Sequence, residues 1–566
     1  MSSRRGGWRQ QLAARSRSPQ GSGRAGGPLT ETLKGWLWSW SWGLTSAAEV
    51  VRQARNLTRD GVNGDVHVNR LSACSQNIGN AERVIRTLVP SKLVPTTVVA
   101  GSCVEKVILP DDWFAWLQET NERLFRQRTG AKQEGIEGWW DQLRSTDEGR
   151  DFWSKHPWLG TKTPRDLRFH VPLIVHDDAG PISELHGAYI RNMFSLVGSG
   201  SEADTRYVLS SHVKSDDGKA DRSWEPILAS FERLARPQAD GKWGGVLLFI
   251  SSDLEYICND VGLPHYNAVD MCPFCDAHTG ALIPFNNFHA AAAWRRTVRD
   301  NTQFMNNLRR PLHPLCSHPW FSMYTYRLDL LHLIDHNGVA GEVIGNIVWM
   351  HLARQSTVLP GANQEDRMDF LNDDIRGFYN TCGVSNRLPR LKLSNFMAEG
   401  GYPELHGRVV KAANTRALLP YVLDLQRRAV LVDPSEHNKH ALKVVESLDR
   451  AIGIMYAGSY FLSAAEKIDL DKALTRMGQN YQQLAVLASR RGELRWKMKP
   501  KLHQVVGHLA TQARLVNPRF CHTYGCEGLV GKICQVYSKS QCGPFMRGIQ
   551  TTVLLKYRTG MAISFA

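Results

Sequence analysis

The chain has 566 residues, of which 42% are hydrophobic and 22% charged, a composition that excludes a wholly disordered protein and a single small module. Sixty-nine Lys and Arg against 54 Asp and Glu give a formal net charge of +15, which favours a polyanionic partner such as nucleic acid. Surface charge that is only solvated is the alternative explanation of this net charge. No apolar stretch reaches the roughly 18 residues that a bilayer span requires, and the amino terminus lacks a signal-peptide core, so we expect an intracellular protein with no membrane partner.

The amino-terminal part is predicted to consist of a basic tail followed by helices. Residues 1–30 carry six arginines and no acid, which is typical of a disordered tail that contacts DNA or acts as a nuclear address. An organelle transit peptide is the alternative for such a start. Residues 31–165 are predicted to form a mainly helical accessory region, in which Ser46 and Glu49 have the spacing of a capping box at a helix start.

Two short apolar runs further along the chain are predicted to be buried strands. Phe169 to Val175 leads to Asp177 and Asp178, and Val246 to Ile250 leads to Asp253. In open α/β sheets, ligand sites form at the carboxyl ends of the strands. These runs therefore predict an α/β fold with carboxylates gathered at one end of the sheet.

A pair of cysteines follows Asp253 along the chain. Cys272 and Cys275 form a C-x-x-C, which lets two thiolates meet one tetrahedral zinc. The second half of the site is predicted to be His503 and His508, although a site completed by nearby histidines is the alternative. A redox pair would need a thioredoxin-like context, which we do not find. Zinc held in this way would close a long loop and bring the carboxyl-terminal segment back to the strands.

The pattern turns helical after Thr279 for about two hundred residues, with amphipathic stretches at Leu328 to Leu352 and His437 to Ala457. The last segment contains Glu527, which the zinc loop would bring close to the two strand-end aspartates. Three such carboxylates suit two Mg²⁺ ions about 4 Å apart, the arrangement used in phosphodiester exchange. Because acids are abundant in this chain, three carboxylates alone are weak evidence for a metal site. Their spacing relative to the other motifs is what favours this triad.

The order of these motifs resembles that of the CACTA-type DDE transposases and their relatives, the Transib transposases and the catalytic subunit of the V(D)J recombinase. Cys272 follows Asp253 by 19 residues (272 minus 253), and Glu527 follows His508 by 19 (527 minus 508), intervals similar to the family's. The motifs are HDDAGPI (His176–Ile182), SDLEYI (Ser252–Ile257), CPFC (Cys272–Cys275), DLLH (Asp329–His332), HQVVGH (His503–His508) and YGCEGLVGK (Tyr524–Lys532).

The resemblance implies an RNase H-like catalytic core formed by residues 166–280 and 499–566 and interrupted by a helical insertion at residues 281–498. It also implies site residues, which are Asp178, Asp253 and Glu527 as catalytic ligands of Mg²⁺ (or Mn²⁺), Cys272, Cys275, His503 and His508 on Zn²⁺, and His332 as a further catalytic residue beside Asp329. The implied function is a nuclear transposase that performs two-metal DNA cleavage and strand transfer, with transposon ends and target DNA as partners and a homo-oligomer as its assembly.

Several alternatives stay open at this stage. A catalytically inactive, zinc-stabilised DNA-binding or interaction protein is one, because no zinc-finger or helix-turn-helix reader is evident; a zinc hydrolase is another. Asp177 competes with Asp178 as the first acid, and Asp329 with His332 has the i, i+3 spacing of a surface pair. Basic residues near Glu527 suit either a DNA channel or a solvated surface: Lys497, Lys499, Lys501, Arg514, Arg519, Lys532 and Lys539.

Overall fold

The computed structural model describes residues 30–61, 65–74, 78–100, 105–184, 186–198, 202–214, 222–238, 241–396, 401–407, 409–540 and 548–565. The basic tail predicted at residues 1–30 lies outside this part of the chain, apart from its last residue. The contacts divide the chain into two compact units, one formed by the described residues up to Trp40 with Leu44–Pro90, the other by Ser41–Gly43 with the described residues of Ser91–Ala566.

The first unit is helical, as predicted for this part of the chain. Its helices are Glu31–Ser41, Ala47–Arg59, Val66–Ser72 and Ile78–Thr87. Ser46 caps the second helix, since its hydroxyl accepts a hydrogen bond from the Glu49 amide at 3.1 Å. The reciprocal half of the predicted capping box is not formed, because the Glu49 carboxylate binds Arg52 and Gln53 instead.

The second unit contains one mixed sheet of seven strands: β1 (Thr97–Val98), β2 (Lys106–Val107), β3 (His170–Pro181), β4 (Gly187–Ser195), β5 (Tyr207–Val213), β6 (Gly244–Ser252) and β7 (Tyr326–Leu328). Their order across the sheet is β1-β2-β5-β4-β3-β6-β7. Neighbours are antiparallel from β1 to β3 and parallel from β3 through β6 to β7. The expected α/β class is confirmed.

Both predicted strands are present, but β3 is longer than its apolar run. Its parallel pairing with β6 ends at Val175, whereas its antiparallel pairing with β4 continues to Pro181. Asp177 and Asp178 therefore lie within a strand and not after it. Successive side chains of a strand point to opposite faces, so the two aspartates are presented to different surroundings.

Three strands come from segments that were predicted to be helical. β1 and β2 extend the sheet from within residues 31–165, and β7 lies inside the predicted insertion. The stretch from Leu328 to Leu352 is accordingly only partly α-helical, with its regular helix confined to Val339–Leu352. The apolar pattern there reflects burial on all sides, which does not distinguish a strand from a helix.

The remaining elements surround the sheet or follow it. The α-helices are Pro110–Thr129, Gln133–Ser145, Asp147–Lys155, Trp224–Leu234, Leu254–Tyr256, Asn301–Asn306, Pro314–Ser317, Val339–Leu352, Gln364–Thr381, Ala412–Val432, Glu436–Ala457, Ala464–Arg490, Pro500–Gln504, Ala510–Ala513, Tyr524–Ser540 and Ile549–Phe565. Short 3₁₀ turns occur at Pro164–Leu167, Glu202–Thr205, Ala293–Arg296, Leu393–Phe396 and Pro518–Cys521. Wider π turns occur at Ile257–Val261, Leu331–Asp335 and Val505–Leu509.

Two groups of helices pack on the sheet near the predicted site residues. The Trp-rich helices before β3 pack on the sheet, where buried Trp140 donates to the His170 carbonyl at 2.9 Å. The Tyr524–Ser540 helix lies so close to β3 that a Cβ on Gly180 would be 2.5 Å from the Cys534 sulfur. Among the described helices, none is both long and apolar enough to cross a bilayer.

Candidate metal centres

The two cysteines and two histidines predicted to bind zinc lie together in the interior. The Cys272 sulfur is 3.2 Å from His508 Nε2, and the Cys275 sulfur is 3.4 Å from His503 Nε2. One ligand atom from each of the four lies within 4.8 Å of the others. Tetrahedral zinc, with Zn–S near 2.3 Å and Zn–N near 2.0 Å, places such atoms about 3.5 Å apart. The buried cluster could therefore hold zinc with little rearrangement.

A π turn explains how the H-x4-H spacing serves this cluster. In a regular α-helix, residues five apart point about 140° away from each other. Here the Pro500–Gln504 helix continues into the π turn Val505–Leu509, whose hydrogen bonds join residues five apart. His503 and His508 are thereby brought to one side of the backbone, which an α-helix alone would prevent.

The surroundings orient the ligands and favour a cation. His503 Nδ1 lies 3.0 Å from the Phe285 carbonyl, so Nδ1 donates and Nε2 is left for a metal. Neighbouring Cys272 and burial raise the pKa of the Cys275 thiol to about 11. Burial also opposes a Cys272 thiolate, but hydrogen bonds from Cys275 and backbone amides lower its pKa overall. Without a cation only one of the two sulfurs ionises readily, and a dication would stabilise both thiolates.

The second cluster contains two of the predicted catalytic acids and one residue that was not predicted. Ligand atoms of His176, Asp178 and Glu527 lie within 4.8 Å of one another. Asp178 is on β3, and Glu527 is in the first turn of the Tyr524–Ser540 helix that packs on the same face. His176 is two residues before Asp178, so strand alternation places both side chains on that face. This alternation is the sequence signal that could have identified His176.

Asp177 has a different environment from its neighbour. Its carboxylate forms a buried ion pair with Arg191 at 2.5 Å and accepts a hydrogen bond from the Tyr256 hydroxyl at 2.6 Å. The Asp177 and Arg191 side chains are 0% and 1% exposed, so this pair is structural. The geometry favours Asp178 over Asp177 as the first acid of the cluster.

Asp253 follows β6, as its sequence position suggests, and caps the short helix Leu254–Tyr256. Its carboxylate accepts a hydrogen bond from the Tyr256 amide at 2.6 Å. It lies outside the tight group of three, but its negative charge raises the pKa of both Asp178 and Glu527. Asp253 is therefore within electrostatic range of the other two acids, and its second oxygen is available for a shared ligand.

Electrostatics show that this cluster is short of positive charge. Burial, followed by the charges of Asp329 and Asp253, raises the pKa of Glu527 to about 7, although its hydrogen bond with Asp178 opposes the shift. Burial and the charges of Glu527 and Asp253 raise the pKa of Asp178 well above its ordinary value. Divalent cations bound by carboxylate oxygens would relieve this repulsion, so the three carboxylates fit dications such as Mg²⁺ or Mn²⁺.

His332 lies beside the acids, and its pair with Asp329 is largely buried and not on the surface. Its Nδ1 is 2.6 Å from the Asp329 carboxylate, and its Nε2 is 3.7 Å from Glu527 Oε1. Burial alone would lower the pKa of His332, but the hydrogen bond and the charge of Asp329, followed by Asp178, raise it overall. Asp329 also accepts hydrogen bonds from the amide and hydroxyl of Thr523, at 3.0 and 2.7 Å. Asp329 thereby fixes both the imidazole and the turn that leads to Glu527.

The late basic residues are not equivalent. Lys499 is held by Glu342 and Glu404 at 2.8 and 2.7 Å, and Arg519 donates to the Tyr456 carbonyl. Lys501, in contrast, contributes to the electrostatic environments of His336 and Asp253, as does Lys411 for His336. Lys501 is therefore within electrostatic range of Asp253, and Lys411 is within electrostatic range of His336. Arg514, Lys497, Lys532 and Lys539 are exposed.

Comparison with models of known protein families and with curated proteins finds no match to this chain.

Proposed function

We propose that this protein is a DDE-type DNA transposase whose catalytic ligands are Asp178, Asp253 and Glu527. The convergence of these acids carries the proposal. Asp178 comes from the interior strand β3, Asp253 from the end of the adjacent parallel strand β6, and Glu527 from a helix near the end of the chain. Acids that remote in sequence, held close despite their mutual repulsion, form a site suited to cations that act on phosphate esters.

The sheet supports an RNase H-like core. Strands β5, β4 and β3 form an antiparallel meander, which β6 and β7 continue in parallel with β3. This arrangement resembles the RNase H-like sheet, in which the first acid is on the central strand. β7 belongs to that pattern even though it lies beyond the C-x-x-C, so the helical insertion of the proposed core begins after β7.

The residues of this chain would share the work of the reaction. When bound, two Mg²⁺ or Mn²⁺ ions would activate the attacking oxygen and stabilise the leaving one. Asp178, Asp253 and Glu527 would hold those ions, and the burial of Asp178 and His176 would limit access of bulk water on the side of β3. His332, whose ring is fixed by Asp329, would donate a hydrogen bond from Nε2 toward a phosphate oxygen or an incoming hydroxyl. Lys501 and Lys411 would contact the DNA backbone.

Zinc on Cys272, Cys275, His503 and His508 has a structural role in this proposal. All four ligand positions are filled by protein side chains, which leaves no open position for a substrate. That donor set argues against the zinc hydrolase. The zinc would join the segment after Asp253 to the segment before Glu527, and so maintain the spacing of the acids.

Nicking of supercoiled plasmid by the full chain in Mg²⁺ or Mn²⁺ tests the proposal. We expect Asp253→Asn and Glu527→Gln to reduce nicking by at least about 100-fold, because each removes a metal ligand. Glu232→Gln is the matched control, since this exposed carboxylate forms a surface ion pair with Arg236 four residues on. Activity that is absent from the wild type, or unchanged in both site variants, would overturn the proposal in favour of a non-catalytic DNA-binding protein.

A further inference from the structure

The histidine beside the acids has an unused nitrogen. His176 is 0% exposed, and its Nε2 has no hydrogen-bond partner among the described residues. An unsatisfied polar atom in the interior is destabilising, and a bound ligand would remove that cost. The same imidazole lies within 4.8 Å of ligand atoms on Asp178 and Glu527. Because the Asn192 amide faces Nδ1 at 3.1 Å, Nε2 is the nitrogen that remains for a cation held by these two carboxylates.

We propose that His176 is a ligand of the cation held by Asp178 and Glu527, and that it makes this position prefer a first-row transition-metal dication such as Mn²⁺ over Mg²⁺. The inference rests on the proposed metal site and adds a ligand and a selectivity to it. Mg²⁺ binds oxygen donors and retains its water, whereas imidazole nitrogen suits first-row transition metals. Two carboxylates and one imidazole form a mixed donor set of the second kind.

The neighbouring strand provides the group that would orient the imidazole. The side-chain amide of Asn192 on β4 lies 3.1 Å from His176 Nδ1, directly across the antiparallel pair. Either end of an amide can face a ring nitrogen. With its oxygen toward Nδ1, Asn192 accepts a hydrogen bond from the Nδ1–H group, and Nε2 presents its lone pair to the cation. Asn192 is thus a positioning residue, and His176 is the ligand.

The position of His176 also distinguishes the two cation positions of the site. Asp253 lies outside the tight group of His176, Asp178 and Glu527. A cation bound mainly through Asp253 would have only oxygen donors from the three acids, and so would keep the ordinary preference for Mg²⁺. We therefore place the transition-metal preference at one position only, between β3 and the helix that carries Glu527.

Mn²⁺ binding to the zinc-loaded full chain tests this inference without relying on activity. Free Mn²⁺ is measured by its electron paramagnetic resonance signal, Mg²⁺ by competition, and a bound nitrogen by its ¹⁴N modulation in pulsed spectra. His176→Gln is expected to weaken Mn²⁺ binding by about tenfold or more and to change Mg²⁺ binding by less than about threefold. The ¹⁴N modulation of the bound Mn²⁺ should disappear.

A second buried histidine of the same strand is the matched control. His170 bonds to the Arg236 carbonyl at 2.9 Å and lies away from the acids, so His170→Gln should leave Mn²⁺ affinity unchanged. Asn192→Asp, which keeps an acceptor beside Nδ1, should retain the nitrogen signal. Undiminished Mn²⁺ binding and ¹⁴N modulation in folded His176→Gln would overturn this inference alone. A wild type that binds neither Mn²⁺ nor Mg²⁺ would overturn it together with the proposed metal site.

Discussion

Replacing Asp177 or Asp178 by asparagine should have opposite effects on stability, although the two residues are neighbours in sequence. Asp177 neutralises Arg191 at 2.5 Å, and both side chains are 1% exposed or less. Removing one partner leaves an uncompensated buried charge, which costs about 3–5 kcal/mol. Arg191 keeps the Ser223 hydroxyl and the Trp224 ring, but neither supplies a negative charge. Asp177→Asn should therefore lose a large part of a typical stability of about 5–15 kcal/mol.

Asp178→Asn removes a charge that the apo protein holds unfavourably. Burial and the charges of Glu527 and Asp253 raise the pKa of Asp178, so a neutral amide resembles the form that the folded protein prefers. The stability of the zinc-loaded protein without Mn²⁺ should be unchanged or higher. The wild type should gain about 2.7 kcal/mol from Mn²⁺ at one hundred times its dissociation constant, and Asp178→Asn should gain almost none.

Urea unfolding of the zinc-loaded proteins, followed by circular dichroism without or with Mn²⁺, separates these effects. The expected pattern is a large loss for Asp177→Asn without Mn²⁺, and for Asp178→Asn a normal midpoint without Mn²⁺ that Mn²⁺ does not raise. The assignment of Asp178 as the metal ligand is refuted if its variant keeps the full Mn²⁺ stabilisation. The structural role of Asp177 is refuted if its variant unfolds at the wild-type urea concentration.

Three further perturbations follow from the structure. Cys275→Ser should lose one equivalent of zinc and about 4 kcal/mol of stability, which is the effect of a ligand at one thousand times its dissociation constant. Exposed Cys382→Ser should lose neither. Metal analysis and urea unfolding measure both effects, and a Cys275→Ser variant that retains zinc would contradict the four-residue cluster. Burial lowers the pKa of His156 to about 3, so the unfolded chain binds a proton from about pH 6.5 downward while the folded protein does not, and stability falls as pH falls through that range. Between pH 8 and 5 this histidine should remove about 2 kcal/mol, a loss missing in His156→Gln, and equal losses in both proteins would exclude the effect. Gly180→Ala should destabilise the fold by about 1–3 kcal/mol, because its Cβ would lie 2.5 Å from the Cys534 sulfur. Gly528→Ala on the Tyr524–Ser540 helix should not destabilise it, because a Cβ there has no atom within 4 Å. Equal unfolding midpoints for both variants would contradict the close packing of this helix on β3.

The sequence identified the strands that matter for the site but not where they end. The apolar runs before Asp178 and Asp253 predict β3 and β6, because buried strands are rich in such residues. The continuation of β3 to Pro181 depends on its pairing with β4, which no local pattern displays. β7 is only three residues long and lies in an apolar stretch, where strand and helix are not distinguishable.

For the site, motif spacing predicted which residues form the zinc cluster, but not the backbone geometry that brings them together. The C-x-x-C and H-x4-H patterns predicted a four-residue cluster, and their side chains do lie together. The π turn that makes His503 and His508 converge was not predictable, since it becomes apparent only when the backbone is known. His176 was missed because a single histidine in an apolar strand resembles an ordinary core residue; its alternation with Asp178 was the available signal, and the structure adds that a ring nitrogen lies within 4.8 Å of a Glu527 oxygen.

The acids are held together by contacts that do not depend on a bound cation. On the Glu527 side, Asp329 binds the Thr523 amide, and Tyr524 donates to Asp335, which Arg416 also binds. These contacts fix the backbone immediately before the Tyr524–Ser540 helix. The side chain of Glu527 is therefore presented to Asp178 whether or not a cation is bound.

Contacts that fix the backbone in this way keep the carboxylates close while their charges repel each other. Burial, together with the charges of Asp329 and Asp253, raises the pKa of Glu527 to about 7. A cation that enters relieves the repulsion without first having to gather its ligands, so less binding free energy is spent on ordering the chain. If the site were assembled only by the metal, the three acids would instead be free to separate in its absence, and the pKa of Glu527 would return toward its ordinary value. Titration of Glu527 in the metal-free protein, followed by the NMR signal of its side-chain carboxyl carbon, therefore distinguishes a preorganised site from an induced one.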